Sequence, residues 1–280
     1  MVIVFNKTIT TTYCKAKKYL RTRSNKFIEF FSHKDYYSKE KVEVSQDFMK
    51  YKTVFDKISK KVRLNHIFPS FDTENGVENI DVALDKIEKL CNTKEEKFIH
   101  LYWDNPDLIL HENGCDSKEA NEFLNKINSK LTKITENLKD TIFIITADHG
   151  MIDIPKDNII NLNELQELTD CLVMPPSFKG QHYSFFVKHD KRKLFKELFK
   201  DKFGKDFLLI DKKKYVDGYL GIGKIHPRVD DFVGDFVSIS LTNKTLNYKT
   251  LDMPFKKPSL ASHGGLTEQE MLCPLIVYTC

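Results

Sequence analysis

The sequence predicts an α/β protein in which helices alternate with the strands of a mainly parallel sheet. The chain has 280 residues, enough for one large α/β domain or for a domain with an inserted subdomain. Its composition, 41% hydrophobic and 12% aromatic, is typical of a globular protein. Residues 78–147 show the pattern helix, strand, helix, strand, which is the order expected of a parallel sheet.

The N-terminal elements follow from local patterns. The run MVIVF predicts a short strand, and the residues after it show no clear periodicity. Apolar residues at helical spacing predict a helix over residues 45–62, with Ser45 as its N-cap. The segment LNHIFPSFD predicts a strand that breaks at Pro69.

Two amphipathic helices and two strands follow. The segment VENIDVALDKIEKLCN has an apolar face, and the longer SKEANEFLNKINSKLTKITENLKD has another, with Ser117 as N-cap. The segment KFIHLYW, between these helices, predicts a strand that runs into polar residues. The segment TIFIITA, after the second helix, predicts a buried strand.

The second half changes character. HYSFFVK predicts a strand, DKRKLFKELFKDKFG a helix, and DFLLIDKKKYVDGYLG a strand and turn. We therefore expect residues 160–225 to form a small inserted α/β cap within a single domain of residues 1–280. DFVGDFVSISL predicts a further strand, and the end of the chain, around MLCPLIVYTC, predicts a buried strand.

Charge and cysteine usage limit the function classes. The net charge of +4 implies no particular partner, although residues 1–70 hold 16 Lys and Arg against 6 Asp and Glu. This basic segment could face a phosphate-bearing ligand or nucleic acid, and the alternative is a solvated lysine-rich surface. No RNP-like or helix-turn-helix motif is present, so nucleic-acid binding is not expected. No signal peptide or membrane span is recognisable, so a cytoplasmic protein without membrane association is expected. Six scattered cysteines without CxxC spacing predict buried, reduced thiols: Cys14, Cys91, Cys115, Cys171, Cys273 and Cys280.

Three polar clusters contain residue types that bind metals. Asp107 and His111 are spaced i and i+4, Asp148 and His149 are adjacent after a predicted strand, and His263 lies in the turn SHGG. Carboxylate oxygens and imidazole nitrogens together suit zinc or manganese. Each cluster alone also has an ordinary explanation. Asp107 could be a turn residue after Pro106, and His263 could be a hydrogen-bonding surface histidine.

The clusters and their flanking residues resemble the metal-binding motifs of a known superfamily. YWDNPDLILHENGCDS, TIFIITADHGM and SHGGLTEQEMLCPLIVY are similar, in this order, to those of the alkaline phosphatase superfamily. The branch they resemble is the type I phosphodiesterase and nucleotide pyrophosphatase group, over residues 97–155 and 225–280. The resemblance implies an α/β/α sandwich around a mainly parallel sheet.

The resemblance also implies two divalent metal ions, zinc or alternatively manganese, and hydrolysis of phosphate esters or diesters. By motif, Asp107, His111 and His263 would bind one ion, and Asp148 and His149 the other. The substrate would be a small phosphate ester or a nucleotide. Residues with polar side chains that could meet its phosphate are Lys179, His182, Lys224, His226 and Arg228, each of which could equally be a surface residue.

The N-terminal part of the family pattern is not recognisable. Family members have an Asp at the end of the first strand and a nucleophilic Thr or Ser at a helix start a few tens of residues later, whereas the first predicted strand here ends in Asn6. One hydroxyl of the nearby stretch Thr8, Thr10, Thr11 and Thr12 could be the nucleophile, but no Asp precedes these residues, and the alternative is a run of β-propensity at a sheet edge. No catalytic nucleophile is therefore assigned, and the second metal site is expected to be partial. The alternatives are a non-catalytic metal- or phosphate-binding protein, or one half of a split enzyme completed by an upstream fragment.

Overall fold

The computed structural model describes residues 53–72, 74–221, 223–225, 227, 229–248 and 258–279, with three short segments at 19–21, 27–29 and 34–35. These residues form two compact units. Unit 1 contains the described residues of Met49–Gly150 and Leu272–Cys280, and unit 2 contains those of Thr11–Phe48 and Met151–Met271. The predicted strand MVIVF and the predicted cap Ser45 lie outside the described residues.

Three short strands of unit 2 come first in the chain. They are β1 (Tyr19–Arg21), β2 (Phe27–Glu29) and β3 (Lys34–Asp35). They pair antiparallel in the order β1-β2-β3, with Leu20 opposite Ile28.

The first described element of unit 1 is helix α1 (Val54–Ile58), which is shorter than the sequence predicts. The Thr53 hydroxyl accepts a hydrogen bond from the Asp56 N–H at 3.2 Å, and the Asp56 carboxylate accepts one from the Thr53 N–H. This capping box starts the helix at Val54. The prediction of helix as far as residue 62 is wrong at its C-terminal end, because residues 59–62 form a turn.

The remaining elements of this segment alternate between strand and helix. They are β4 (Arg63–Pro69), β5 (Gly76–Val77), α2 (Ile80–Cys91), β6 (Lys97–Leu101), α3 (Asp107–Asn113), α4 (Lys118–Asn137) and β7 (Ile142–Thr146). Strand β4 pairs in parallel with both β5 and β6, with Ile67 opposite Leu101. The predicted α/β class with parallel strands is therefore confirmed.

Helices α2 and α4 pack on one face of these strands. Ser117 caps α4 as predicted, because its Oγ accepts a hydrogen bond from the Ala120 N–H at 3.2 Å. The apolar residues of both helices and of β4, β6 and β7 share one core: Ile67, Ile80, Ala83, Leu84, Ile87, Ile99, Leu101, Ile134, Leu138 and Phe143. This core fixes the ends of β6 and β7, which carry the polar motifs.

Unit 2 contains most of the second half of the chain. Its elements are β8 (Ile152–Asp153), β9 (Ile159–Asn161), α5 (Gln166–Thr169), β10 (Ser177–Lys179), β11 (His182–Phe185), α6 (Arg192–Phe203), β12 (Phe207–Asp211), α7 (Lys212–Tyr219), β13 (Phe236–Ser240), β14 (Thr245–Asn247), β15 (Ala261–Ser262) and α8 (Glu268–Met271). Four of these strands form an antiparallel sheet in the order β10-β11-β13-β12. Strand β15 pairs antiparallel with β8, and β14 pairs in parallel with β9.

Two helices provide side chains for two separate clusters on this sheet. Phe195, Phe199 and Phe203 of α6 pack in one cluster with Phe185. Tyr215 of α7 packs in the other, with residues that include Ile239. The sequence predicts a turn where α7 forms, and this prediction is wrong because its three consecutive lysines hide the helical spacing. Residues 160–225 lie within unit 2, and their role as a cap stays a prediction.

The last strand, β16 (Leu275–Thr279), returns to unit 1. It pairs antiparallel with β7, with Val277 opposite Ile144. The prediction that this strand is buried is wrong, since all five of its residues are exposed. Ile142 of β7 is exposed as well, although Phe143 beside it is buried. Among the described strands, β7 is the only one that pairs with β16.

The four described cysteines lie in different environments. Cys171 is buried as predicted, Cys91 and Cys115 are partly buried, and Cys273 is exposed, so the prediction of burial is wrong for Cys273. Cys14 and Cys280 lie outside the described residues. Among the described helices, none is both long enough and apolar enough to cross a membrane.

Candidate metal centre

The first pair of candidate ligands lies on α3, which follows strand β6. Asp107 is the first residue of this helix and His111 lies one turn later, so the two side chains project from the same face. The Nε2 atom of His111 lies 3.6 Å from Oδ1 of Asp107. The i, i+4 spacing seen in the sequence is therefore a spatial pair.

The second pair directly follows β7. Nε2 of His149 lies 3.6 Å from Oδ2 of Asp148 and 3.9 Å from Oδ1 of Asp107. The ends of β6 and β7 thus bring four sequence-predicted residues of unit 1 together: Asp107, His111, Asp148 and His149. This agrees with the rule that ligands bind beyond the carboxyl ends of strands in α/β sheets.

The four side chains are partly buried. Their exposed fractions are 16% for Asp107, 24% for His111 and 17% for His149, with Asp148 at 21%. Side chains with this exposure are largely shielded from bulk water, and Oδ1 of Asp107 is itself inaccessible to solvent. This shielding strengthens electrostatic attraction within the cluster.

A hydrogen bond sets the tautomer of His149. Its Nδ1 lies 2.8 Å from the backbone carbonyl oxygen of Gly150. A carbonyl oxygen only accepts, so Nδ1 carries the proton and donates it. In the neutral imidazole the lone pair is then on Nε2, the nitrogen that lies near the carboxylates of Asp107 and Asp148. A histidine that binds a metal through one nitrogen commonly donates from the other to a backbone carbonyl in this way.

The spacing of these atoms fits a divalent cation. Separations of 3.6–3.9 Å between nitrogen and oxygen are longer than a hydrogen bond. Two ligand atoms on one tetrahedral zinc ion lie about 3.4 Å apart, given bonds of about 2.0–2.1 Å. Small inward movements of these side chains would give that separation. The oxygen and nitrogen donors also match those preferred by zinc and manganese.

The fifth candidate ligand, His263, belongs to unit 2. It follows β15 and is partly buried, and Gly264 after it has a φ of 108°, a conformation that favours glycine. The motif SHGG therefore forms a tight turn, as its two glycines suggest. The assignment of all five residues as metal ligands stays a prediction.

The candidates for substrate phosphate have different environments. His182 packs edge-on against the rings of Phe178 and Tyr215, and its Nε2 is inaccessible to solvent. Burial lowers the pKa of His182 from 6.5 to about 4, so the ring is neutral near pH 7. His182 is thus part of the core of unit 2. Lys224 is exposed, and the side chains of Lys179, His226 and Arg228 lie outside the described residues.

Cys273 is a neighbour of the cluster that the sequence does not reveal. Partial burial of the sulfur and then the negative charge of Asp148 raise the pKa of the Cys273 thiol. The only indication in the sequence that Cys273 lies near the cluster is its position between Glu270 and Pro274 in the motif SHGGLTEQEMLCPLIVY.

Most of the chain matches the model of one known protein family, and shorter segments match individual proteins. The family model described as type I phosphodiesterase / nucleotide pyrophosphatase matches residues 5–236. Bis(5'-adenosyl)-triphosphatase ENPP4 of Pongo abelii is 31% identical over 108 residues, which cover 35% of this chain and 24% of the relative. The human ENPP4 is 36% identical over 73 residues, covering 24% of this chain and 16% of that protein. The matched segments thus span at most about a quarter of the length of these curated relatives.

Solved structures share the fold over 93–100% of the chain. Human ectonucleotide pyrophosphatase / phosphodiesterase 5 has a TM-score of 0.65 at 14% identity, covering 100% of this chain and 87% of that chain. An inactive form of the murine protein, in complex with AMP, has a TM-score of 0.61 at 14% identity, covering 100% of this chain and 87% of that chain. Phosphonoacetate hydrolase from Sinorhizobium meliloti 1021 has a TM-score of 0.58 at 17% identity, covering 93% of this chain and 73% of that chain. These similarities confirm the predicted alkaline phosphatase-like α/β fold.

Proposed function

Because the chain belongs to the type I phosphodiesterase / nucleotide pyrophosphatase family, we propose that it is a metal-dependent hydrolase of phosphate esters or diesters. The observation that carries this proposal is the convergence of Asp107, His111, Asp148 and His149 at the ends of β6 and β7. We propose zinc as the metal, with manganese as the alternative. The motif around His263 supports this residue as a further ligand.

The residues of the site have separate roles in this proposal. Asp107 and Asp148 would supply negative charge to hold divalent cations, and the neutral imidazoles of His111 and His149 would supply lone pairs. Bound cations would offset the charge of the phosphate oxygens and polarise the phosphorus. The hydrogen bond from His149 to Gly150 would keep that imidazole oriented during binding.

The relatives favour a nucleotide-like substrate. One curated relative is named as a bis(5'-adenosyl)-triphosphatase, and the murine ENPP5 structure contains AMP. A nucleotide-like substrate is a proposal for this chain, because the matched segments cover at most about a quarter of the curated relatives. The cytoplasmic location expected from the cysteine pattern likewise stays a proposal.

A second candidate function follows from the N-terminal sequence. The family's Asp and nucleophilic Thr or Ser are not recognisable around Asn6, and the threonines at 8 and 10–12 lie outside the described residues. A chain without these groups would bind metal or phosphate without turnover. It could also act as one half of a split enzyme that requires an upstream fragment.

Metal content and turnover of a p-nitrophenyl phosphodiester distinguish these functions. The full chain would be loaded with zinc or manganese and compared with Asp148→Asn and with Asp116→Asn, an exposed aspartate before α4. Two metal ions per chain and turnover lost only in Asp148→Asn would support the hydrolase. One ion or none without turnover would overturn it for this chain, and recovery on adding the upstream segment in trans would identify a split enzyme.

A further inference from the structure

The turn that carries His263 is anchored on both sides within unit 2. We call residues 261–267 the His263 loop. At its start, β15 pairs with β8, with Ser262 opposite Ile152. At its end, the Leu266 N–H donates a hydrogen bond of 2.8 Å to the carbonyl oxygen of Ser240, the last residue of β13. His263 and two glycines lie between these anchors.

A buried carboxylate provides a third anchor. Glu270 is only 2% exposed, and it reaches back from α8 to the loop. Its Oε1 accepts a hydrogen bond from the Gly265 N–H at 2.7 Å, and its Oε2 accepts one from the Thr267 hydroxyl at 2.6 Å. Burial of a carboxylate is costly unless it is hydrogen-bonded, and both oxygens of Glu270 bond to the His263 loop.

The loop backbone has little room to move at Gly265. A Cβ atom added to this glycine would lie 2.7 Å from Oε2 of Glu270 and 2.9 Å from the carbonyl oxygen of Ser240. Both distances are shorter than real Cβ contacts. The backbone of the loop is therefore enclosed between the carboxylate of Glu270 and the end of β13.

The turn between β10 and β11 contacts the other part of the loop. A Cβ atom at Gly180 would lie 3.2 Å from the carbonyl oxygen of His263 and 3.1 Å from Oγ of Ser262. The loop is therefore contacted at two points. Gly180 packs against the backbone of His263, and the Glu270 carboxylate bonds to the backbone of Gly265. Glycines lose the most conformational freedom on ordering, so these contacts are what give the loop a single conformation.

We propose that Glu270 is a positioning residue for His263 and sets the affinity of the metal centre for its cation. The inference rests on the proposed function, in which His263 is a metal ligand. A ligand binds tightly when its side chain is held near the required geometry before the metal arrives. Glu270 holds the backbone two residues after His263, and without this hydrogen bond Gly264 and Gly265 would regain freedom that metal binding must remove.

Metal affinity tests this role independently of turnover. Metal-free full-length protein would be titrated with zinc in competition with a chromophoric chelator, and thermal unfolding of the metal-free protein would be recorded in parallel. We expect Glu270→Ala to weaken zinc binding about tenfold. Glu270→Gln should weaken it less, because its Oε1 can still accept from Gly265 and its amide can donate to Thr267 Oγ1. Glu268→Ala, at an exposed position of the same helix, should bind zinc like the unchanged protein.

Further variants keep the test decisive. If Glu270→Ala does not fold, Glu270→Gln and Thr267→Val replace it, and both should weaken zinc binding. The positioning role is overturned if these variants bind zinc normally while His263→Ala binds it weakly. A lower melting temperature of the metal-free protein without a change in zinc affinity would also overturn it. Unchanged zinc affinity in His263→Ala would instead show that His263 is not a ligand, so both the ligand assignment and the inference would fail.

Discussion

Nε2 of His149 lies 3.9 Å from Oδ1 of Asp107, although the two residues follow different strands. The same oxygen lies 3.6 Å from Nε2 of His111. One carboxylate oxygen therefore faces both imidazoles of the cluster. Asp107 is the residue through which the segment after β6 and the segment after β7 form a single site.

Replacement of Asp107 by Asn should impair the whole metal centre. The amide is neutral and binds a divalent cation more weakly than a carboxylate, and its NH₂ group could turn towards the lone pair of His111 or His149. We expect zinc affinity to fall by at least about tenfold, measured by chelator competition. Asp116→Asn provides the control. Equal zinc affinity in both variants would contradict the central role of Asp107.

Acid should destabilise the protein partly through His182. Burial lowers the pKa of His182 from 6.5 to about 4, so below pH 6.5 the unfolded chain binds a proton that the folded chain does not. The contribution of the neutral His182 to the free energy of unfolding is fully present above about pH 6.5 and is lost as the pH falls towards about 4. The loss amounts to about 3 kcal/mol. We therefore expect the free energy of unfolding, measured with urea, to fall more steeply from pH 7.5 to pH 4 in the unchanged protein than in the His182→Phe variant.

His189, which is exposed, provides the matched histidine for this measurement. His189→Phe should keep the pH dependence of the unchanged protein. If His182→Phe shows the same pH dependence as well, the buried imidazole is not responsible for the loss of stability in acid.

The exposed strand β16 should promote association of the protein. Leu275, Ile276, Val277 and Tyr278 are between 47% and 71% exposed, and their strand carries no charge. Exposed apolar strands favour pairing with other chains, and a lysine in such a strand opposes it. Ile276→Lys should therefore lower the average mass in sedimentation velocity at high protein concentration.

A lysine at another exposed apolar position tests whether the strand matters or only the added charge. Leu220 is 43% exposed in unit 2, and Leu220→Lys adds the same charge. An equal decrease in association for both variants would argue that charge alone explains the result.

The phenylalanine cluster of α6 should dominate the stability of unit 2. Phe199 is fully buried, with its ring 5.7 Å from that of Phe185 and 5.0 Å from that of Phe203. Phe199→Ala leaves a cavity in this cluster and should lower the free energy of unfolding by about 3–5 kcal/mol. Leu194, on the same helix, is 45% exposed, and Leu194→Ala should change it by less than about 1 kcal/mol. If urea unfolding gave a similar loss of free energy of unfolding for Phe199→Ala and Leu194→Ala, the assignment of Phe199 to the core would be contradicted.

Local patterns were sufficient to predict the long helix α4. Ser117 supplies the N-cap and the apolar residues recur at helical spacing, so the sequence indicates its start and most of its core-facing side. Leu124, which belongs to the same apolar pattern, is 49% exposed. The same reasoning missed α7, in which Tyr215 is the buried residue and lysines occupy the start. The apolar run in β16 correctly predicted a strand. Its exposure was not predictable, because burial depends on which distant elements pack against a strand.

The candidate site was predicted from the sequence to the level of residue pairs. The spacing of Asp107 and His111, and the adjacency of Asp148 and His149, are visible in the chain. The approach of His149 to Asp107 depends on the relative position of two strand ends, which the sequence places only through the general rule for parallel sheets. The contacts from Glu270 to Gly265 and Thr267 were not predictable, since they require the fold of α8 back onto the loop.

The described residues of unit 1 come from two separated stretches of the chain, and this order has a consequence for folding during synthesis. Strand β7 ends at Thr146, but its antiparallel partner β16 begins only at Leu275. All of the residues 151–271, which belong to unit 2, are synthesised before that partner. Among the described strands β16 is the only partner of β7, so the edge of β7 next to Asp148 and His149 gains this partner only after residues 275–279 have emerged.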